Sequence, residues 1–289
     1  MHSSSDSRLV VTGAGGQLGR AVIARAPEAL ALGRGDLDIT DPAAVRATLR
    51  PGDLVLNCAA YTAVDTAESN EAAAFAGNET GPAVLAAACA ALGARLIHVS
   101  TDYVFDGHGT RPYEPDDPTG PTSVYGRSKL AGERAVRTLG EDGHIVRTAW
   151  VYTGDHGDFV ATMRRLERER ETVSVVNDQL GSPTYADDLA AGLLELAARV
   201  NSPGPQPLPA VLHATNAGQA TWFELARAVF EEVGADPDRV RPCTSAEFPS
   251  PVRRPAYSVL SDRAWVAAGL TPLRDWRLAL RDALRRVCG

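Results

Sequence analysis

The chain has 289 residues, of which 44% are hydrophobic and 22% charged, and its formal net charge is −7. This composition is typical of a soluble globular protein with room for more than one domain. The acidic balance excludes a general nucleic-acid binder and a protein that docks on anionic membranes, because such partners require a basic surface.

Apolar runs and helical segments alternate along the first half of the chain. Strands are predicted at residues 8–13, 29–33, 53–60, 95–100 and 144–152, and helices at 17–26, 42–50, about 69–92 and 125–140. This alternation predicts a parallel sheet with helices on both faces, and continuously apolar strands fit such a sheet. The predicted fold class is α/β: a Rossmann-like, doubly wound parallel sheet with a smaller C-terminal substrate-binding lobe.

The pattern loosens after about residue 150. We predict a dinucleotide-binding domain over residues 1–150 and mainly a substrate-binding lobe over 151–289, with elements at about 172–198 returning to the first domain. Residues 201–209 read as a Pro-rich loop.

The N-terminal residues 1–8 are polar, lack the apolar segment of a signal peptide and predict a short disordered tail. Cys58, Cys89, Cys243 and Cys288 form no C-x-x-C pair and no zinc-type spacing. A reducing, cytoplasmic setting is therefore expected, with no membrane segment.

A glycine motif lies where the first strand meets the first helix. Gly13, Gly16 and Gly19 form G-x-x-G-x-x-G, and such a turn lets the backbone approach a pyrophosphate at a helix N-terminus. Its place between a predicted strand and a predicted helix favours a dinucleotide site over a plain glycine turn.

The end of the second strand bears on the choice of coenzyme. NAD-binding proteins usually have an acidic residue there, whereas this chain has Gly33 and Arg34. An arginine suits a 2′-phosphate, so NADPH is favoured over NADH. In the alternative, Arg34 is a solvated loop residue and Asp36 or Asp38 binds the ribose.

Tyr125 and Lys129 are four residues apart and lie on one face of a predicted helix. A nearby ammonium is expected to lower the tyrosine pKa from about 10, which would suit proton exchange with a carbonyl oxygen. Y-x-x-x-K alone is common. Ser100 and Thr101, at the end of a predicted strand, complete a constellation that is hard to obtain by accident.

These segments resemble the extended short-chain dehydrogenase/reductase family. The resemblance covers almost the whole chain, through "GAGGQLG", "DLDITDP", "NCAAYTAVDTAE", "STDYVFDG", "YGRSKLAGE", "RTAWVY", "NDQLGSPTY" and "RRPAYS". Within the family, it points to reductases that transfer hydride to the 4-keto group of a dTDP-linked 6-deoxy sugar.

The resemblance implies a role for each site residue. Tyr125 would donate the proton, Lys129 would hold the nicotinamide ribose, and Thr101 would orient the reacting oxygen. The cofactor would lie along Gly16, Gln17, Leu18, Asp38, Ile39, Ala60, Tyr61 and Thr62, with Gly13, Gly19 and Arg34 completing its site. The sugar nucleotide would contact Thr101, Asp102, Trp150 and Arg254.

Departures from the family pattern limit what is carried over. Some relatives form a metal-bridged dimer through an acidic residue early in the first helix, where this chain has Arg20 and Ala21. We therefore expect no metal, and we expect a monomer or a weak homodimer. Gly33 and Arg34 put dual coenzyme use in doubt, although NADH stays possible.

Several alternatives stay open. The sequence favours His98 as a buried histidine whose hydrogen bonds are made within the core. Asn78 could bridge the active site to backbone or water, or cap a helix segment, and Arg253 could be a solvated loop charge. A 4,6-dehydratase would carry an acid where this chain has Tyr103. An epimerase, a 4-ketoreductase for another deoxysugar and a non-catalytic NADP-binding regulatory subunit are the other candidates.

Overall fold

The computed structural model describes residues 7–155, 157–202, 208–248 and 250–288. The tail predicted at the N-terminus falls largely outside these ranges, as does most of the predicted Pro-rich loop. Among the described helices, none is long and apolar enough to cross a membrane.

The strands and helices follow one another along the chain. The strands are β1 (Leu9–Thr12), β2 (Leu30–Leu32), β3 (Leu54–Asn57), β4 (Arg95–Thr101), β5 (Gly143–Thr148), β6 (Val151–Tyr152), β7 (Val173–Val176), β8 (Leu180–Gly181), β9 (Thr184–Tyr185), β10 (Val211–His213), β11 (Ala220–Thr221) and β12 (Val240–Cys243). The α-helices are α1 (Gln17–Arg25), α2 (Pro42–Thr48), α3 (Val64–Ala67), α4 (Glu71–Phe75), α5 (Gly81–Leu92), α6 (Val124–Val136), α7 (Phe159–Glu169), α8 (Ala186–Asn201), α9 (Trp222–Glu232), α10 (Arg263–Ala267) and α11 (Trp276–Cys288).

Six parallel strands form the central sheet in the order β10-β5-β4-β3-β1-β2. Successive side chains of a strand point to opposite faces. Val10 therefore packs with α2, α5 and α6, and Val11 packs with α1 and α8. The predicted α/β class is confirmed. The carboxyl ends of β1, β3 and β4 meet at one edge, where ligands of such sheets bind.

The later part of the chain divides between the sheet and a second cluster. Helix α8 packs on α1, and β10 joins the sheet beside β5. Strand β7, from the segment predicted to return to the first domain, pairs instead with β12. Helices α7, α9 and α11 enclose a separate apolar cluster. We propose that this cluster is the substrate lobe and that α8 and β10 belong to the nucleotide domain.

The long helix predicted at about 69–92 is interrupted. Between α4 and α5 the chain forms a π-helical segment, Ala76–Thr80, that contains Asn78. The side-chain amide of Asn78 donates to the backbone oxygen of Tyr61 and to Ser128 Oγ, at 3.0 Å each. Its carbonyl oxygen accepts from the Tyr61 amide at 2.8 Å. These tertiary contacts accompany the wider turn, as is common for π-bulges at functional sites.

The strand predicted at 144–152 is also wrong as a single element. It breaks at Ala149 and Trp150, and Trp150 has a φ of +49°. A bulky residue in this region is a genuine outlier that the surroundings must hold in place. The predicted helix that starts near Tyr125 ends at Val136 and continues as a 3₁₀ segment, Arg137–Asp142.

Candidate active site

The glycine loop closes tightly against β3. Gly13 has a φ of +69°, and a Cβ placed on it would lie 2.5 Å from the amide nitrogen of Ala59. A Cβ on Gly19 would lie 2.2 Å from the Gly13 carbonyl oxygen. Gly16 precedes α1 with no side-chain cap, so the first backbone N–H groups of the helix, on Gln17 and Leu18, have no intrahelical partner.

The end of β2 carries the predicted coenzyme selector. Arg34 is exposed, and the turn around it is closed by the Gly33 amide, which donates to the Asp36 carboxylate at 2.8 Å. Asp38 is also exposed and accepts from the amide and hydroxyl of Thr40, which lower its pKa. Ile39 is buried against Gly81.

Residues 60–62 follow β3 at the same edge of the sheet. Ala60 and Thr62 are exposed and Tyr61 is half-buried. The Tyr61 backbone is held on both sides by the Asn78 amide described above. Asn78 is therefore a bridge between this loop and α6.

Tyr125, Thr101 and Asp102 form a buried polar cluster at the end of β4. The Thr101 hydroxyl lies close enough to that of Tyr125 to affect its pKa, and Thr101 Oγ1 donates to Asp102 Oδ1 at 3.0 Å. Asp102 is 2% exposed, and its Oδ2 has no hydrogen-bond partner among the described residues. Burial raises the pKa of the Asp102 carboxyl to about 6, against the lowering effect of the Ser258 and Thr101 hydroxyls.

Lys129 lies in the same helix, one turn beyond Tyr125, and is 2% exposed. Its Nζ donates to the Val99 carbonyl oxygen at 2.6 Å and lies 3.3 Å from His98 Nε2. Burial lowers the pKa of Lys129 to about 8, while Glu133 opposes that change.

The pKa expected for Tyr125 is wrong in direction. Burial raises the pKa of the Tyr125 hydroxyl, and the nearby Asp102 and Tyr103 add to that, against the lowering effect of the Thr101 hydroxyl. Lys129, whose Nζ donates to the Val99 carbonyl oxygen, does not offset this rise in pKa. Tyr125 therefore keeps its proton at neutral pH, as a proton donor must.

Trp150 lies between β5 and β6, where the strand is interrupted. Its ring stacks on Trp222 with centroids 3.5 Å apart and a 7° interplanar angle. Gly181 also packs against this ring, since a Cβ there would approach the Trp150 ring to 2.4 Å. The stacking and this close packing hold Trp150 in its unusual backbone conformation.

Arg254 is half-buried and is already paired. Its Nη2 donates to both carboxylate oxygens of Asp65, at 2.6 and 2.7 Å, and its Nη1 donates to the Tyr103 hydroxyl at 3.0 Å. The Tyr103 ring meets the Tyr125 ring edge-on at 5.5 Å. Arg254 also lines a cavity of about 430 Å³ whose wall includes Asp178, Gln179, Ser245, Phe248 and Arg253.

The family follows from comparison with known proteins. Residues 7–288 match the family described as "RmlD substrate binding domain". A curated relative, the dTDP-4-dehydrorhamnose reductase of Mycobacterium tuberculosis, is 59% identical over 96% of this chain and 92% of its own length.

The chain belongs to the dTDP-4-dehydrorhamnose reductase family. That family consists of oxidoreductases and lies within the extended short-chain dehydrogenase/reductase group that the sequence resembles. Another relative, the dTDP-4-keto-6-deoxy-D-glucose reductase of Streptomyces niveus, is 48% identical over 96% of each chain.

Solved structures of this reductase family share the fold over their whole length. The dTDP-4-dehydrorhamnose reductase of Clostridium acetobutylicum aligns with a TM-score of 0.91 and 37% identity, over 98% of this chain and 100% of that one. The reductase of Bacillus anthracis, solved in complex with NADP, aligns with a TM-score of 0.89 and 34% identity, over 97% and 99%.

The sequence predictions missed a buried ion pair behind the reductase site. Arg147 donates to Glu133 through Nε at 2.9 Å and through Nη2 at 2.8 Å, and both side chains are at most 4% exposed. Ser100 Oγ also donates to Glu133 at 2.6 Å, so Ser100 faces away from Thr101 and serves the ion pair. Within the described ranges, no three His, Cys, Asp or Glu side chains cluster as a metal site.

A sequence signal singles out Lys129. It is the sole lysine of the sequence, which also has 28 arginines and six histidines. Arginine keeps its charge in proteins, whereas a buried lysine can lose it. Among the Lys and Arg side chains, Lys129 is therefore the one whose charge burial can remove.

Proposed function

We propose that this chain catalyses the NADPH-dependent reduction of dTDP-4-dehydro-6-deoxy-L-mannose to dTDP-L-rhamnose, the last step of dTDP-rhamnose synthesis. The observation that carries the proposal is the buried cluster of Tyr125, Thr101 and Asp102 at the carboxyl end of β4, in which the Thr101 hydroxyl donates to Asp102. The family relationship supports the sugar-nucleotide class of substrate.

The glycine loop fits a dinucleotide. Side chains are excluded at Gly13 and Gly19, and the unpaired amides of Gln17 and Leu18 suit a pyrophosphate. Arg34 would pair with a 2′-phosphate, and Asp38, Ile39 and residues 60–62 would line the adenosine and nicotinamide sides. A bound NADPH supplies the hydride. The NADP complex of the Bacillus anthracis relative supports this assignment.

The chain's own chemistry is the delivery of a proton to O4 of the sugar. Tyr125 keeps its proton because burial raises its pKa. Thr101 fixes the direction of the Tyr125 hydroxyl and is in turn oriented by Asp102. As charge develops on O4, the Tyr125 proton transfers to it. Lys129 would hold the nicotinamide ribose and stabilise the resulting tyrosinate when charged.

The substrate would lie between the two parts of the chain. Trp150 would border the sugar ring, and Asp102 Oδ2 is an acceptor that has no hydrogen-bond partner among the described residues. The cavity beside Arg254 suits the nucleotide and diphosphate, because Arg253 and Arg254 can donate to phosphate oxygens while Phe248, 64% exposed, offers a surface for the base.

The test is oxidation of NADPH, followed by absorbance, with freshly made dTDP-4-dehydro-6-deoxy-L-mannose. Tyr125→Phe should lower kcat by about 10²–10⁴-fold while NADPH binding is kept. NMR of the product should show dTDP-L-rhamnose. Tight NADPH binding without oxidation would reject this substrate, and assays with other 4-keto sugars would then test the deoxysugar alternative.

The coenzyme assignment has its own test. Arg34→Gln should weaken NADPH binding by about tenfold or more and leave NADH binding almost unchanged, because one charged hydrogen-bonding partner of the phosphate is lost. Arg20→Gln, at another exposed arginine near the loop, is the matched control. Equal effects of the two variants would reject Arg34 as the selector.

A further inference from the structure

A row of buried polar side chains runs from the glycine-loop strand to Lys129. Thr12 Oγ1 donates to Asn57 Oδ1 at 2.7 Å, and Asn57 Nδ2 lies 2.9 Å from His98 Nδ1. His98 Nε2 then lies 3.3 Å from Lys129 Nζ. All four side chains are at most 2% exposed.

The donors and acceptors of this row fix the protonation of His98. The Ala59 amide donates to Asn57 Oδ1 at 3.0 Å, so the amide orientation of Asn57 is set by a backbone N–H. Asn57 Nδ2 can only donate, hence His98 Nδ1 must be the unprotonated acceptor. A neutral imidazole then carries its hydrogen on Nε2, which faces Lys129.

The contact between His98 and Lys129 therefore depends on the charge of the lysine. An ammonium has three donors and no acceptor, so it would oppose the Nε2–H group. A neutral amine has a lone pair that can accept from Nε2–H while still donating to the Val99 carbonyl oxygen.

We propose that His98, held in its Nε2–H tautomer by Asn57, is a positioning residue that favours the neutral amine of Lys129 at this place and opposes its ammonium form. His98 thereby acts through Lys129 and touches neither cofactor nor substrate.

The surrounding charges agree with this arrangement. The groups that face Lys129 are Cys58 after β3, His98 on β4, Tyr125 and Glu133 on α6, and Arg147 on β5 through its ion pair with Glu133. Burial lowers the pKa of Lys129 to about 8, and burial together with Lys129 lowers that of His98 well below its usual range. The pKa of the Cys58 thiol is raised to about 12, so Cys58 supplies no charge at neutral pH.

The consequence for catalysis rests on the proposed function. If the ammonium of Lys129 holds the ribose and stabilises the tyrosinate, activity falls as the pH rises through the Lys129 pKa of about 8. His98 would set where that fall occurs. Charging of Lys129 would also weaken its contact with His98, which frees Nζ to turn towards the cofactor.

Lysine-selective labelling makes the test direct, because the chain has one lysine and hence one side-chain ammonium signal. NMR titration of that signal in the wild-type protein should give a midpoint near 8, against about 10.4 for an ordinary lysine. Two-bond ¹⁵N–¹H spectra of the labelled histidines should show that His98 is protonated at Nε2 and unprotonated at Nδ1.

The variant Asn57→Asp reverses the donor and acceptor roles of His98 while the shape of the side chain at position 57 stays the same. A carboxylate at position 57 accepts a hydrogen bond from Nδ1–H of His98. The Nε2 atom of His98 is then unprotonated and accepts from the Lys129 ammonium. The Lys129 midpoint should rise by about 1–3 units, and the high-pH limit of NADPH oxidation should rise with it. Asn78→Asp is the matched control, since it also adds a buried carboxylate but leaves the His98 partners in place.

Two results would overturn the proposal without any variant: His98 protonated at Nδ1, or a Lys129 midpoint near that of an ordinary lysine. An Asn57→Asp protein with reversed tautomer and unchanged Lys129 midpoint would also overturn it, as would an equal shift in Asn78→Asp. Since these signals need no substrate, absence of NADPH oxidation would reject the proposed function alone.

Discussion

The buried ion pair of Glu133 and Arg147 allows a quantitative prediction. Glu133→Gln keeps the side-chain shape and one carbonyl oxygen, which can still accept from Ser100 Oγ and Arg147 Nε. The amide nitrogen takes the place of Oε2 and faces the Nη2 donor of Arg147, where two donors cannot bond.

The magnitude follows from burial. The side chains of Arg147 and Glu133 are only 4% and 3% exposed, so the guanidinium left behind cannot recover its hydration. Removal of one partner of such a pair costs about 3–5 kcal/mol, mainly because a buried charge is left uncompensated. Glu133 also raises the Lys129 pKa, so the variant should lower that pKa further.

Denaturant unfolding followed by circular dichroism measures the loss. The double variant Glu133→Leu with Arg147→Met should be much closer to wild type than Glu133→Gln, because apolar replacement of both partners is often nearly neutral. Glu169→Gln, at the exposed i,i+4 pair with Arg165, is the control and should cost less than about 0.5 kcal/mol. A loss below about 1 kcal/mol for Glu133→Gln would refute the reasoning.

Three further outcomes are expected. Gly19→Ala should weaken NADPH binding by at least about tenfold in fluorescence titration because its Cβ meets a backbone carbonyl, whereas Gly15→Ala, which has open space, should bind normally. Gly181→Ala should displace Trp150 and raise the KM for the sugar nucleotide with little change in NADPH affinity. For Asp102→Asn, stability relative to wild type should increase by about 3 kcal/mol from about pH 4 to 7, since the raised pKa of Asp102 makes wild-type stability fall as pH rises through that window. A difference that does not change with pH would contradict the raised pKa of this buried carboxyl.

Local patterns predicted the sheet and its glycine loop, because strand and helix periodicity and turn glycines act over a few residues. The interruption at Trp150 could not be predicted in this way, since the contacts that hold it come from Trp222 and Gly181. The π-helical segment could not be predicted either, because the alanine-rich sequence around it is typical of an uninterrupted helix.

Side-chain partners distant in sequence were equally out of reach. Arg254 was predicted to bind substrate, and its pairing with Asp65, 189 positions away in the sequence, could not be predicted from local patterns. His98 was predicted to be a satisfied core histidine, and the structure places it in a buried polar row; its contact with Lys129 depended on the register between α6 and β4.

The single buried lysine also allows local unfolding of the chain to be measured by proteolysis. A lysine-specific endoprotease has one possible cleavage site, after Lys129, in a helix packed on the central sheet. Cleavage there requires the loss of packing between α6 and β4, so its rate reports how often the core around the central sheet opens. Ligands that stabilise the folded state should slow this cut in proportion to their binding, which gives a binding assay without label or substrate turnover.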